Sequence, residues 1–256
     1  MNYCHIFSAI ILSLAAASAF AADAAKDTRC YELRIYSAAE GKLDALNTRF
    51  RDHTCKLFEK HGITNIGYWL PRENPERKLY YIIAYPNRES HDKMWNAFMA
   101  DPVWKAALAE SEKDGKLVLK VESTFMHATD FSPEIKAVEE KEPRVFELRT
   151  YTATPGNMAR LQTRFRDHTM TLFVEHGMKN FAYWSLDADQ KGAEDTLVYM
   201  LAHKSKTDRD ASFKAFGDDP DWKAVKEASE KAAGPLTIKD GVKSVLLTPT
   251  DYSPTK

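Results

Sequence analysis

Cysteine is scarce, with three in 256 residues at Cys4, Cys30 and Cys55. They form no CxxC, no CxxCH and no Cys/His metal spacing, which removes structural zinc sites and covalent c-type haem attachment and leaves non-covalent haem open. Charge of one sign is missing as well. Lys and Arg number 36 against 37 Asp and Glu, interleaved along the chain, so no charged field marks a polyanion partner and nucleic-acid binding is not expected. There is no Gly-rich phosphate loop, no GxSxG elbow and no HExxH helix. The one long apolar run is Ile6 to Phe20; no later segment approaches the roughly 18 apolar residues of a spanning helix, so no membrane span is expected. With Ala19-Phe20-Ala21 behind it, that run reads as a signal peptide over residues 1–21, although it begins without Lys or Arg. The product is then periplasmic or secreted, from a bacterium.

What the chain has is repetition. Tyr31-Glu32-Leu33-Arg34-Ile35-Tyr36 returns as Phe146-Glu147-Leu148-Arg149-Thr150-Tyr151, and Arg49-Phe50-Arg51-Asp52-His53-Thr54 returns unchanged as Arg164 to Thr169. His61-Gly62 matches His176-Gly177, and Tyr68-Trp69 matches Tyr183-Trp184. Asp101-Pro102 with Trp104-Lys105 matches Asp219-Pro220 with Trp222-Lys223. The units are residues 30–133 and 144–254, joined by a Glu- and Lys-rich linker over 134–143. Cys30 and Cys55 are matched by the apolar Val145 and Met170, which favours two buried free thiols over a disulfide.

Within one unit the periods can be read. Residues 30–36 alternate as a strand; a helix runs from Gly41 to His61-Gly62, with Leu43, Leu46, Phe50, Leu57 and Phe58 on one face. Gly62 provides the left-handed turn at its end, where His61 serves as a cap. Strands cover 64–70 and 78–85. A second helical region begins near Arg88 and restarts at Asp101-Pro102, an N-cap and first-turn pair, and a last strand covers 117–127. This is a β-α-β-β-α-β order, the ferredoxin-like plan. The third strand, Tyr80 to Ala84 and again Val198 to Ala202, is apolar on both faces. Helices of its own unit cover one face, so the sheet of the other unit is the natural cover for the second.

These motifs together resemble the NIPSNAP domain, twice, over 30–133 and 144–254. The resemblance implies an α+β fold in which two tandem ferredoxin-like (βαββαβ) units pair sheet to sheet as an intrachain dimeric α+β barrel. It implies no agreed catalytic residues. The wider fold group includes cofactor-free monooxygenases and haem enzymes, an analogy of scaffold alone.

His53 and His168 are the candidates for chemistry. A helical wheel places each at the edge of the apolar face beside Arg49 or Arg164, where an imidazole acts as base or donor, or simply satisfies a backbone group or carboxylate. Glu32, Arg34 and Tyr36, with Glu147, Arg149 and Tyr151, leave strand one opposite Leu33 and Leu148. If that face lines the inter-sheet space, they either pair across strands or anchor a ligand in a cavity that also receives Tyr68, Trp69, Tyr183 and Trp184. The 11 Tyr, 13 Phe and 5 Trp exceed what two small cores need. His61 and His176 read as caps; His127 and His203 face Thr248 and Tyr85 in the repeat and belong to no repeated site. No metal site is expected and no cofactor is required. The expected function is binding of a small apolar or aromatic molecule, or service as an interaction module. The alternative is a cofactor-independent monooxygenase or isomerase using a helix histidine. The chain closes its own barrel as a monomer or forms a homo-oligomer.

Overall fold

The computed structural model describes residues 27–256 except 139, 141 and 232; the expected signal peptide and Cys4 lie outside the described residues. The alternating segment at the start is strand β1 (Cys30–Ala38). The helix after it has three parts: α1 (Leu43–Arg49), a π-helical turn over Phe50–Thr54, and α2 (Cys55–Lys60). Strands β2 (Thr64–Pro71) and β3 (Lys78–Tyr85), helices α3 (Ser90–Ala100) and α4 (Pro102–Ser111), and strand β4 (Val118–Ala128) complete the first half. The second half repeats this with β5 (Val145–Ala153), α5 (Met158–Arg164), a π turn over Phe165–Thr169, α6 (Met170–Glu175), β6 (Lys179–Leu186), β7 (Thr196–His203), α7 (Lys206–Asp218), α8 (Pro220–Lys231) and β8 (Thr237–Pro249).

The eight strands close into one barrel in the order β1-β3-β2-β8-β5-β7-β6-β4. The halves meet at two short seams. Trp69, Leu70 and Pro71 of β2 pair with Pro249, Thr248 and Leu247 of β8, and Met126, His127 and Ala128 of β4 pair with Leu186, Ser185 and Trp184 of β6. The interior is one apolar cluster drawn from both halves, including Leu33, Trp69, Ile82 and Met126 with Leu148, Trp184, Met200 and Leu247. Two further clusters lie outside the sheet under the helices, around Phe50, Phe58 and Tyr81 and around Phe165, Phe173 and Tyr199. Strand β3 therefore turns Ile82 and Ala84 inward and Tyr81, Ile83 and Tyr85 toward helices, so its lack of alternation comes from cover on both faces.

Local chemistry ends and starts the helices as the sequence indicates. Gly62 and Gly177 adopt φ of 78° and 79°, a conformation that costs other residues a Cβ clash. Asp101 caps α4 by accepting the Val103 N–H at 2.8 Å, and Asp219 accepts the Asp221 N–H at 2.7 Å at the head of α8. The segment between the halves is more than a tether: Ile135 is buried in the interior cluster, and its carbonyl accepts Arg29 Nη2 at 2.7 Å.

Two placements differ from the sequence reading. The inward face of β1 is the one carrying Tyr31 and Leu33, so Glu32, Arg34 and Tyr36, with Glu147, Arg149 and Tyr151, face the helices and not the inter-sheet space. The reason is that closure buries the wholly apolar face of the strand, where no partners for charge exist. Tyr68 and Trp69 likewise part company: Trp69 and Trp184 enter the barrel, while Tyr68 and Tyr183 lie under the helices, as neighbours on a strand must. They do not form a single aromatic cavity.

Candidate functional site

The charged residues of β1 and β5 pair with buried groups of the strands and helices around them. Glu32 is fully buried and pairs with Arg34 two residues along the same strand, not across strands. It also accepts from Ser123 Oγ at 2.5 Å and Tyr85 Oη at 2.9 Å, with His91 Nε2 at 3.9 Å. Arg34 lies over the Trp95 ring at 4.2 Å and reaches Tyr36 Oη at 3.3 Å. Burial, reinforced by the Glu32 carboxylate, pushes the Tyr85 hydroxyl well above the ordinary tyrosine range, so it stays a donor. In the second half Glu147 takes two bonds from Arg209, at 2.8 and 2.6 Å, pairs with Arg149, and has His203 Nε2 at 3.4 Å. Arg149 Nε in turn donates to Tyr199 Oη at 2.8 Å. Burial opposes ionisation of Glu147, but Arg209, His203 and Arg149 together outweigh it and hold the carboxyl below the usual range. On the β1 and β5 faces these charged groups are paired chiefly with one another, while Arg34 Nε, Tyr81 Oη and His91 Nε2 are buried without a hydrogen-bond partner.

The repeated Phe-Arg-Asp-His-Thr segments are the two π turns. In each, the Thr hydroxyl bonds the carbonyl five residues back, Thr54 to Arg49 at 3.2 Å and Thr169 to Arg164 at 3.0 Å. The wider turn inserts one residue into the helical period and rotates the rest of the helix about its axis. His53 and His168 are consequently exposed, where a regular 3.6-residue wheel places them at the apolar edge. Arg49 and Arg164 point the other way and are buried. Arg49 bonds Glu112 at 3.0 Å over the Trp104 ring, and Arg164 bonds Glu230 at 3.0 Å over Trp222. They clamp each first helix to the last helix of its half.

His168 opens onto a cavity. Between α5 and α8 runs a groove of about 630 Å³ walled by Ala159, Ala224, Val225 and Ala228, with Thr163, Ser229, Arg160, Arg164 and His168 as its polar groups. A second hollow of about 380 Å³ continues past His168, bordered by Asp167, Glu175 and Asp221. His168 therefore stands between an apolar wall and an acidic one. The first half differs at this place, since Trp104 and Ala107 are buried there whereas Trp222 and Val225 are half-buried. Looser seating of α8 accompanies the groove.

His61 and His176 bond a side chain and not the carbonyls of their own helix: Nε2 lies 2.8 Å from Asp101 and 2.6 Å from Asp219. Lys60 and His61 hold the Asp101 carboxyl well below its usual range. Cys30 is buried and Cys55 half-buried, both free; burial raises their thiols to about 12 and about 11. His127 sits 3.0 Å from Asp187. His91, Arg209 and the small wall residues of α8 were not among the sequence candidates. Their signal was a paired exchange between copies: Tyr85 and His91 in one half become His203 and Arg209 in the other, around the same carboxylate. Among the described residues no cluster of His, Cys, Asp and Glu suits a metal ion, and no helix is long and apolar enough to cross a membrane.

The NIPSNAP family pattern matches residues 31–133 and 146–254. The protein NipSnap homolog of Dictyostelium discoideum is 25% identical over 187 residues, which is 72% of this chain and 74% of that protein. A Fusobacterium nucleatum protein, provisionally described as a monooxygenase, superposes at a TM-score of 0.57 over 87% of this chain and 92% of its own, with 10% identity. A Lactobacillus acidophilus protein of the same provisional description gives 0.55 over 87% and 94%, again at 10% identity. Identities this low speak to the barrel fold alone.

Proposed function

The chain belongs to the NIPSNAP family, and on that premise we propose that it is an exported binding protein for a small apolar or aromatic molecule, held in the groove between α5 and α8. The groove carries the reading: its volume of about 630 Å³ suits a small ligand, and its lining combines Ala and Val with a few polar groups. Thr163, Ser229 and His168 would fix orientation, with the ligand body against Val225. Export rests on the N-terminal apolar run. The strand orders β4-β1-β3-β2 and β8-β5-β7-β6 support two ferredoxin-like units, which reproduce within one chain the barrel that paired units make in dimeric α+β barrels.

The test is a fluorescence and calorimetric titration of the purified chain against small aromatics and haem. Trp222, stacked under Arg164, provides a reporter beside the groove. Ala228→Trp fills the groove from an exposed helix position and should abolish binding without loss of fold. Ligands that bind the variant as tightly as the parent defeat the proposal.

His168 favours a second reading, proton transfer to a bound substrate by a cofactor-independent monooxygenase or isomerase. Its imidazole lines the groove, with Asp167 and Glu175 behind it. In that case His168→Gln abolishes turnover of a bound substrate while leaving its affinity nearly intact.

A further inference from the structure

The two seams of the barrel present the same positions with different charges. Asp187 comes directly after β6 as Arg72 comes directly after β2, and each donates its backbone N–H across the seam, to Phe125 O at 3.0 Å and to Leu246 O at 2.9 Å. Arg88 stands three residues past β3, as Lys206 stands three past β7.

At the β4–β6 seam these positions hold opposite charges that face one another. The Asp187 carboxylate has His127 Nδ1 at 3.0 Å, Cys30 Sγ at 3.7 Å and Arg88 Nε at 3.7 Å. Arg88 also reaches Asp189 at 3.2 Å and covers the Phe125 ring at 3.8 Å, while Gln190 accepts the Phe125 N–H at 3.1 Å. At the β2–β8 seam the same two positions are both cationic. A pocket of about 540 Å³ is lined there by Arg72, Glu73, Lys206, Ser244, Val245 and Leu246. Lys206 has Asp210 at 2.6 Å, whereas Arg72 has no ion-pair partner among the described residues. Ser244 and Leu246 sit opposite Arg149 and Glu147 across β5 and β8, so the floor of the pocket adjoins a carboxylate that already has Arg149 and Arg209.

We infer that this pocket binds a small organic carboxylate, its head between Arg72 and Lys206 where the other seam holds the Asp187 carboxylate, its aliphatic part along Leu246. A planar guanidinium matches a carboxylate in two bonds, and Ser244 adds a hydroxyl donor. Glu73 and Asp210 nearby disfavour a dianion. The site is separate from the α5–α8 groove and shares no residue with it.

The experiment is a two-dimensional amide NMR titration of the full chain with hexanoate, with inorganic phosphate run in parallel. Hexanoate should give saturable shifts at residues 72–73, 206 and 244–246, and phosphate weaker ones. Arg72→Asp, which offers Lys206 the pairing seen at the other seam, should weaken hexanoate roughly tenfold or more, as should Lys206→Gln. Circular dichroism checks that both variants fold, and Ala228→Trp should leave hexanoate binding unchanged. Failure of hexanoate to saturate, equal affinity for Arg72→Asp, phosphate binding as tight as hexanoate, or loss of binding in Ala228→Trp each overturns the assignment.

Discussion

Glu147 and Glu32 are fully buried carboxylates at the same place in the two halves, and their partners decide what each contributes. Arg209→Ala strips Glu147 of a bidentate cation but leaves it Arg149, so the loss should fall short of the roughly 3 kcal/mol or more of a buried charge left with no partner, at about 2 kcal/mol. His91→Ala should cost well under half of that, because Glu32 keeps Arg34, Tyr85 and Ser123. Urea unfolding of the two variants separates them. The Glu147 carboxyl is depressed in the folded state, so its contribution is complete above the unfolded value near 4.5 and is lost as pH falls through the folded one. Arg209→Ala should therefore flatten the fall in stability of the parent below about pH 4.5. A different residue-level test concerns Gly67. A Cβ there would lie 2.3 Å from the Trp69 ring, so Gly67→Ala should destabilise by about 1–3 kcal/mol through overpacking, even though Ala182 occupies the matching site in the second half. The cysteines, with thiols at about 12 and about 11, should resist a disulfide reagent at pH 8 until denaturant is added.

Among the elements, the strands and most helix ends were legible because their causes are local: alternation in β1, Gly62 at a left-handed turn, Asp101 and Pro102 at a helix start. The π turns were not. Nothing in Phe-Arg-Asp-His-Thr departs from a helical pattern, and the widened turn depends on a Thr hydroxyl bonding five residues back and on Arg49 and Arg164 being drawn under Trp104 and Trp222. A regular helical period places His53 and His168 at the apolar edge, and the widened turn leaves them exposed. The groove was illegible for a related reason, since it arises from how far α8 stands off α5, a tertiary distance that Ala224 and Ala228 permit and do not encode. Thr169→Val removes the hydroxyl that supports the second π turn. It should lower the urea midpoint modestly and shift the amide resonances of 165–169, with little change at the β strands.

For the whole molecule, closure of the barrel within one chain has a direct consequence. Residues such as Leu33, Trp69, Ile82 and Met126 of the first half are covered by Leu148, Trp184, Met200 and Leu247 of the second. Light scattering on the full chain should give the mass of one chain. The first half alone, residues 27–138, would expose that face and should pair or aggregate; a stable, soluble monomer would contradict the packing. The repeat made this arrangement readable, because a third strand apolar on both faces demands a second cover. It could not reveal the groove, since Thr163, Arg164, His168, Ala224 and Ser229 of its lining are matched by identical residues in the first half and the copies diverge only at places such as Val225 against Ala107 and Ala228 against Glu110. A crystal structure of the full chain soaked with a small aromatic ligand bears on that asymmetry. Density between α5 and α8, against Val225 and within reach of His168, with the matching surface of the first half empty, is the expected result. Density in the first half, or none in either at saturating ligand, would contradict it.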